Sequence, residues 1–237
     1  MSNKIDPTNL PKHIAITMDG NGRWAKSKGK LRVFGHRNGI KAVRDTVEAA
    51  AEIGIKFLTL YAFSTENWNR PKSEVNALMG LLISAIKKET QNLMKNNIKL
   101  SAIGETNSLP EKARKELSEA IQNTKKNTRM TLILALSYSG RWDILNATKS
   151  LIQNGIPAKN IDEKLFQQYL ATESVPDPEL LIRTSGEYRI SNFLLWQSAY
   201  SELYFTDTLW PDFRKTNLKK AIIDYQKRER RFGKTKA

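Results

Sequence analysis

The chain has 237 residues and a mass of 27.0 kDa, which suits one domain spanning residues 1–237, since no linker or composition break divides it. It has no cysteine and 2 histidines, which excludes disulfides, thiolate chemistry and metal sites built from several Cys or His side chains. Its formal net charge is +15, so we expect an anionic partner: a phosphorylated substrate, an acidic lipid or a nucleic acid.

Targeting signals are absent from the sequence. No apolar run reaches the roughly 18 residues that a spanning helix needs, and residues 1–12 lack the apolar core of a signal peptide. We therefore expect a cytosolic protein. Residues 1–12 and the basic residues 232–237 are expected to be flexible.

Strand and helix patterns alternate along the chain. They predict a strand at 14–18, a glycine loop at 19–22 and a helix from about Gly35 that is capped by Gly54. Further strands are predicted at 57–63, 98–103, 130–136, 180–182 and 203–205, and further helices from about 71, 110, 143, 162 and 217, the last reaching 231. Because helices separate the strands, we predict an α/β fold, a single domain with a mostly parallel central sheet of about six strands flanked by helices.

Polar clusters follow three of these strands, at 19–24, 64–70 and 183–191. Ligands of open parallel sheets bind at the carboxyl ends of the strands, so the three clusters are expected to form one site. Five arginines lie in or beside them: Arg23, Arg32, Arg70, Arg183 and Arg189. Because the guanidinium fork binds phosphate oxygens in pairs, two phosphate groups or two diphosphates are the expected ligands.

The segment DGNGRWA, residues 19–25, matches the glycine pattern of dinucleotide-binding loops. No acid stands at the end of the next strand, where a dinucleotide site needs one. Asp19 would repel a bare pyrophosphate, but it suits a loop in which Mg²⁺ bridges the carboxylate and phosphate oxygens. From the loop alone, an ordinary glycine turn capped by Asp19 is an equally good interpretation.

Several other residues have ordinary explanations. A lone His36 near a helix start is more typical of a capping or surface residue, and Trp24 and Trp68 are more typical of a core or a lid. Glu202 lies among apolar and aromatic residues, where an acid needs a partner, and a metal is one candidate. The apolar stripe at 78–86 is more typical of a core than of a lipid channel.

Five segments taken together resemble the cis-prenyltransferases, and most closely the bacterial undecaprenyl diphosphate synthases. They are HIAITMDGNGRWA, GHRNG, LYAFSTENWNRP, GRWDI and IRTSGEYRISNFLLWQSAYSELYFTDTLWPDF, in register from about His13 to Gly233. The DDxxD signature of trans-prenyl synthases is absent. The resemblance implies a homodimeric α/β fold with an apolar tunnel between strands and two helices.

The resemblance also implies an activity. Family members condense an allylic diphosphate, usually farnesyl diphosphate, with successive isopentenyl diphosphates, and they form cis double bonds with the help of Mg²⁺. The implied product is undecaprenyl diphosphate, the precursor of the lipid carrier for bacterial cell-wall synthesis. The apolar stripe at 78–86 would then wall the tunnel and residues 130–136 would form its floor.

Individual residues of this sequence match family roles. Asp19 matches the catalytic aspartate and Mg²⁺ ligand, Asn67 the proposed proton acceptor, and Glu202 the second metal ligand. The expected allylic-diphosphate residues are Gly20, Asn21, Gly22, Arg23, Trp24, Arg32 and His36. The second substrate-binding stretch comprises Ser64, Thr65, Glu66, Trp68 and Arg70, and the isopentenyl diphosphate residues are Arg183, Arg189, Ile190 and Ser191.

Two features modify these roles. Asn67 is a weak base by its own chemistry, so we expect it to orient the substrate while a diphosphate or a carboxylate takes the proton. Ser185 and Tyr188 stand where many family members carry Gly and His, and a tyrosine does not replace a histidine that helps at the metal.

Two other classes fit parts of the sequence. A nucleic-acid-binding protein would explain the charge and the terminal run QKRERRFGKTKA. No nucleic-acid-binding motif is present, however, so we expect no nucleic acid partner. A catalytically silent partner subunit is disfavoured because Asp19, Asn67 and the five arginines are retained. We expect the basic C-terminus to be a solvated helix, with a transient contact to the inner membrane face as the alternative.

Overall fold

A sheet of six parallel strands forms the centre of the computed structural model, which describes residues 4–230. The strands are β1 (His13–Thr17), β2 (Phe57–Ser64), β3 (Ile98–Ile103), β4 (Met130–Tyr138), β5 (Leu180–Thr184) and β6 (Glu202–Thr206). Their order is β3-β4-β2-β1-β5-β6, and every neighbouring pair is parallel. The predicted α/β fold is confirmed.

Helices connect the strands and cover both faces of the sheet. In the described part of the chain they are α1 (Asn21–Ser27), α2 (Arg32–Ile53), α3 (Lys72–Lys95), α4 (Glu111–Thr124), α5 (Gly140–Gln153), α6 (Glu163–Tyr169) and α7 (Lys215–Gln226). The helix α2 ends at Gly54 in a left-handed conformation, as the sequence predicted. Between residues 4 and 230, no helix is both long enough and apolar enough to cross a bilayer.

The structure differs from the sequence prediction at two places. Residues 21 and 22 of the predicted glycine loop at 19–22 already belong to α1, a helix of only 7 residues that is too short to show a helical period. The last helix ends at Gln226 rather than at residue 231. Residues 1–3, residue 231 and the basic tail at 232–237, for which flexibility or helix was expected, lie outside the described residues.

The strand β1 is buried on both faces, as a central parallel strand is expected to be. Ile14 and Ile16 belong to the larger apolar core, with residues of α2, α3, α4 and α7. Ala15 points to the opposite face and belongs to a smaller core that includes Phe193. Side chains of β1 thus pack alternately into the two cores, which hold the strand from both faces. The polar residues that follow β1 therefore start from a fixed position.

His13, the first residue of β1, is a buried structural histidine. Its Nδ1 lies 2.6 Å from the Pro176 carbonyl oxygen, and its Nε2 lies 2.8 Å from the Thr59 hydroxyl. Burial lowers the pKa of His13 to about 4, although the hydrogen bond to Pro176 and the charge of Glu179 oppose this effect. His13 is therefore neutral in the folded protein near neutral pH.

We expect the protein to lose stability as the pH falls from about 6.5 to about 4. In this window the unfolded chain protonates His13 while the folded chain does not, so protonation favours unfolding. The effect is about 2 kcal/mol near pH 5. Urea unfolding at neutral pH and near pH 5 would measure it. His13→Gln, which cannot titrate, should lose less stability between the two conditions, and an equal loss would contradict this account.

The glycines of GHRNG allow α1 to lie directly against α2. A Cβ atom on Gly35 would lie 1.9 Å from the Asn21 carbonyl oxygen, and a Cβ atom on Gly39 would lie 2.5 Å from Asn21 Oδ1. The Trp210 ring also packs against Gly39, and its Nε1 donates a hydrogen bond to the Gly39 carbonyl oxygen at 3.1 Å. This close approach fixes the start of α1 and, with it, the position of Asp19.

Gly35→Ala is therefore expected to lower the free energy of unfolding by about 1–3 kcal/mol, because α1 must shift to admit the methyl group. Gly80 is a matched control, since it lies inside α3 and an added Cβ atom would meet nothing within 4 Å. Gly80→Ala should raise the free energy of unfolding by about 0.5–1 kcal/mol. Urea unfolding distinguishes the two, and a stabilising Gly35→Ala would refute the close contact.

Candidate active site

Three polar segments meet at the carboxyl edge of the sheet, where the sequence placed them. They follow β1, β2 and β5, which are neighbours because β1 lies between the other two. Thr17 at the end of β1 is level with Tyr61 on one side and with Arg183 on the other. Side-chain hydrogen bonds then join the segments to one another. From β1 the chain continues to β2 on one side of the sheet, whereas from β5 it continues to β6 on the other side. Ligands of such folds usually bind at the carboxyl ends of two neighbouring strands whose connections run in opposite directions.

The first group of charges, the Asp19 cluster, consists of Asp19, Arg23, Arg183, Glu187 and Arg189. Asp19 Oδ2 accepts a hydrogen bond from Arg183 Nη2 at 2.9 Å and lies 3.7 Å from Arg23 Nη2. Glu187 lies 3.2 Å from Arg23 and also pairs with Arg189. Three arginines face two carboxylates, so the cluster carries one excess positive charge and can receive an anion.

Arg183 is held rigidly in this cluster. Its side chain is 5% exposed, and its Nη1 donates to the Arg189 carbonyl oxygen at 2.7 Å and to Ser191 Oγ at 2.6 Å. Its buried Nε has no hydrogen-bond partner within residues 4–230. A buried, preoriented guanidinium of this kind is suited to stabilise negative charge without reorganisation.

The second group of charges, the Glu74 cluster, consists of Arg32, His36, Arg70 and Glu74. Glu74 Oε1 lies 3.1 Å from Arg70 Nη1 and 3.6 Å from Arg32 Nε. Burial, followed by the charge of Arg70, lowers the pKa of His36 to about 4, although Glu74 acts in the opposite direction. His36 is thus neutral near pH 7. The cluster's excess positive charge comes from its two arginines.

The first turn of α1 lies between the two clusters. Arg23 reaches into the Asp19 cluster, where it also donates to Ser185 Oγ. Arg32 packs against Gly22, since a Cβ atom there would lie 3.1 Å from Arg32 Nε. The five arginines are thus divided between two clusters, each with an excess positive charge. That each cluster binds a phosphate or a diphosphate stays a prediction.

The turn after β2 is a 3-10 helix, Thr65–Asn69, that Asn67 stabilises. The Ser64 amide donates to Asn67 Oδ1 at 3.2 Å, in a capping box. Trp68 packs edge-on against Phe63 and donates from Nε1 to Ser137 Oγ at 2.9 Å. Asn67 is therefore fixed by its own turn, a geometry that suits an orienting residue better than a base. Trp68 anchors the turn to the core.

Asn192, which the sequence reasoning did not select, ties two of the segments together. Its Nδ2 donates to Glu66 Oε1 at 2.7 Å, and its Oδ1 accepts from the Arg141 amide at 2.9 Å. Ser185, Ser191 and Asn192 have positive φ angles of 81°, 49° and 60°. A left-handed backbone at residue 185 explains why glycine is suited to that position. Tyr188 is exposed, and its ring packs against Phe205.

Two tryptophans support the site, Trp24 at the surface and Trp210 in the core. Trp24 stacks on Phe34 with ring centres 5.8 Å apart, and its Nε1 donates to Asp212 Oδ2 at 2.9 Å. The Trp210 amide donates to the Asp19 carbonyl oxygen at 3.0 Å. Trp210, like Glu74, was missed by sequence reasoning. For Glu74 there was a signal, because it is an acid four residues after Arg70 at the predicted start of a helix.

An apolar cavity of about 250 Å³ adjoins the Glu74 cluster. His36, Asn67 and Arg70 lie in its lining, which continues between α2 and α3 and over β2 and β4. The apolar lining includes Val43, Val47, Leu78, Met79, Leu82, Ile86, Leu132, Leu134 and Leu136. The stripe at 78–86 lines this cavity, and its Met79 and Ile86 also belong to the apolar core. That the stripe walls a tunnel for a lipid tail stays a prediction.

Glu202, which is expected to be the second metal ligand, lies away from Asp19 in the same chain, so its role at a metal stays a prediction. Glu202 is the first residue of β6 and pairs with Leu180, at the amino edge of the sheet. Its Oε2 lies 2.9 Å from Arg228 Nη1. Arg228 is thus the partner that an acid among apolar neighbours requires.

A bound Mg²⁺ would have to take most of its ligands from a substrate. Within residues 4–230, no group of three or more His, Cys, Asp or Glu residues could hold a metal ion. The partly exposed Asp19 carboxylate is nevertheless surrounded by anion-binding arginines. One carboxylate combined with phosphate oxygens is a ligand set that Mg²⁺ prefers, so Asp19 fits this role.

Known proteins that resemble this chain match it over nearly its whole length, and they carry related names. Residues 17–233 match the family described as "Putative undecaprenyl diphosphate synthase". The chain is 56% identical over 230 residues to an isoprenyl transferase of Chlorobaculum tepidum, covering 95% of this chain and 87% of that one. It is 55% identical over 234 residues to a ditrans,polycis-undecaprenyl-diphosphate synthase ((2E,6E)-farnesyl-diphosphate specific) of Pasteurella multocida, covering 97% of this chain and 98% of the relative.

A solved structure shows the same fold. The lavandulyl diphosphate synthase of Lavandula x intermedia, in complex with dimethylallyl diphosphate, superposes with a TM-score of 0.92 and 39% sequence identity. The match covers 95% of this chain and 99% of that one. The family match over residues 17–233 includes all three polar segments at the carboxyl edge of the sheet.

Proposed function

The chain belongs to the undecaprenyl diphosphate synthase family, and on that premise we propose that it condenses an allylic diphosphate with successive isopentenyl diphosphates. Farnesyl diphosphate is the proposed primer, because the Pasteurella multocida relative is named as specific for it. The proposed product is a long cis-polyprenyl diphosphate, undecaprenyl diphosphate, for the lipid carrier of bacterial cell-wall synthesis. The observation that carries this proposal is one apolar cavity beside two cationic clusters.

The position of the cavity suggests which diphosphate binds where. Only the allylic substrate has a long apolar tail, and His36 and Arg70 of the Glu74 cluster line the cavity. We assign this cluster and the start of α1 to the allylic diphosphate, with Gly20, Asn21, Gly22, Arg23, Trp24, Arg32 and His36. The second substrate-binding stretch, which adjoins it, comprises Ser64, Thr65, Glu66, Trp68 and Arg70. The isopentenyl diphosphate is assigned to Arg183, Arg189, Ile190 and Ser191.

The chemistry follows from this placement. The isopentenyl double bond attacks C1 of the allylic substrate while the C1–O bond breaks, and a proton is then lost from the former isopentenyl group. Negative charge builds on the leaving diphosphate, where Arg23 and Arg70 can stabilise it. Mg²⁺ held by Asp19 and diphosphate oxygens would supply further neutralisation of that charge. Asn67, fixed by its capping box, orients the substrate while a diphosphate oxygen takes the proton.

We propose a homodimer, because β6 is an edge strand whose Leu203 and neighbouring Tyr200 are exposed. Glu202 could serve at a metal only in such an assembly, from a second copy. We place the enzyme in the cytoplasm with a peripheral contact to the inner membrane face, which the net charge of +15 would favour. Cosedimentation with acidic vesicles that salt abolishes would support the membrane contact.

A radiochemical assay tests the activity. The purified chain is mixed with labelled isopentenyl diphosphate and with farnesyl or dimethylallyl diphosphate, in the presence of Mg²⁺ or of a chelator. We expect a metal-dependent series of butanol-soluble lipids that ends at one long cis product with the farnesyl primer. An absence of extractable product with every primer would refute the proposal.

A further inference from the structure

The wall of the apolar cavity contains one polar stretch, which we name the polar seam: Arg44 and Glu48 of α2 with Glu89 and Asn92 of α3. Arg44 Nε donates to Glu89 Oε2 at 2.9 Å, and Arg44 Nη2 donates to Glu89 Oε1. Asn92 Nδ2 donates to Glu48 Oε1 at 2.7 Å. The two contacts join the helices side by side.

The polar seam separates the apolar cavity from a second, open pocket on the protein surface. All four seam residues line both spaces. The outer pocket measures about 360 Å³ and is otherwise lined by Lys88, Gln91 and Lys95. The seam is also remote from the diphosphate positions, since Glu89 lies 15 residues after Glu74 on α3, about 22 Å along the helix.

The chemistry of the seam makes it easier to open than an apolar contact. Arg44 is 39% exposed and Glu89 is 14% exposed, and both residues line the outer pocket, so water from that pocket can hydrate both charges when the pair breaks. Partly exposed ion pairs usually contribute little to stability, although a bidentate pair such as this one resists opening more than most. An apolar contact such as that of Val47 or Leu93 would instead leave hydrophobic surface exposed if the helices parted.

The cavity is small for a long product. Pockets that bury a drug-sized ligand measure about 300–1,000 Å³, and this cavity measures about 250 Å³. A polyprenyl chain of many isoprene units is larger than such a ligand. Either the cavity expands or the tail leaves it, and the polar seam is the part of the wall between the cavity and the outer pocket.

We propose that the polar seam is the outlet for the growing chain and a determinant of product length. This inference rests on the proposed function. Once the tail fills the cavity, its end displaces the Arg44–Glu89 and Glu48–Asn92 contacts and passes between α2 and α3. The resistance of the seam then sets how many further condensations occur.

The inference is tested by linking α2 to α3 covalently across the polar seam. The chain has no cysteine, so Arg44→Cys with Glu89→Cys can be linked selectively by a short bifunctional thiol reagent. We expect the linked enzyme to keep the first condensation but to shift its main product to shorter chains than the unlinked double variant makes. The matched control is Glu52→Cys with Lys215→Cys, an ion pair between α2 and α7 outside the cavity lining, whose linkage should leave product length unchanged.

A second pair, Glu48→Cys with Asn92→Cys, links the seam at its other contact and is used if the first pair unfolds the protein. An unchanged product length in a linked, folded seam variant overturns the inference. A shift of equal size in the linked control also overturns it, because general stiffening would then be the cause. The unmodified enzyme is assayed in parallel. If it makes no long product, the proposed function fails, and if it makes one while the linked seam variant makes the same product, only this inference fails.

Discussion

Asp19→Asn is expected to lower kcat for prenyl transfer by about 10³-fold or more. The substitution preserves the shape of the side chain and the oxygen that accepts the Gly20 amide at 2.7 Å. It removes the negative charge beside Arg23 and Arg183, and with it the carboxylate that we assign to Mg²⁺. Single-turnover measurements with both diphosphates at saturation would isolate the chemical step.

The matched control is Asp45→Asn, because Asp45 forms an ion pair with Arg214 at 3.1 Å away from the site. That variant should retain wild-type activity, while both variants should remain folded in a urea titration. If Asp19→Asn kept more than about a tenth of the wild-type kcat, the assignment of Asp19 to the chemical step would be wrong.

Arg183→Lys is expected to lower kcat/KM for isopentenyl diphosphate by about 10²-fold. A lysine keeps the charge but loses the planar fork that lets one guanidinium contact Asp19, the Arg189 carbonyl oxygen and Ser191 together. The lysine ammonium would act as a point charge, and the Arg189 carbonyl oxygen and Ser191 Oγ would lose the hydrogen bonds that they accept from Arg183. Steady-state kinetics with each diphosphate varied in turn would measure the effect.

Two comparisons distinguish this role from a general loss of stability. Arg214→Lys weakens the pair with Asp45 outside the site and should leave both KM values unchanged. The KM for the allylic diphosphate should change less than that for isopentenyl diphosphate in Arg183→Lys, because the Glu74 cluster is intact. An equal rise in both KM values would disprove the assignment of the two diphosphates.

The strand-and-helix pattern was readable from the sequence because it depends on local rules. Apolar runs with period 2 or short buried runs marked the strands, and Gly54 marked a helix end. Parallel connectivity then placed the segments after β1, β2 and β5 at one edge. The arginines and Asp19 could be selected on chemistry alone, since their residue types and their positions at strand ends both indicated a diphosphate site.

The position of Glu202 and the contacts between distant segments could not be predicted from local sequence patterns. Glu202 was expected to be the second metal ligand, whereas the register of β6 places it at the opposite edge of the sheet from Asp19, beside Arg228. The closeness of Asn21 to Gly35 and the hydrogen bond between Asn192 and Glu66 join residues that are 14 and 126 positions apart. Each follows from how helices and loops pack across the sheet.

The sequence by itself therefore determined the fold class, the edge that carries the site and the anionic character of its ligands, because these follow from periodicity, charge and connectivity. Only the tertiary structure decided which charges share a cluster, that Asn67 caps its own turn, and that a polar seam interrupts the apolar wall. The physical reason is that side-chain pairing depends on strand register and helix packing, which are set by the whole core at once.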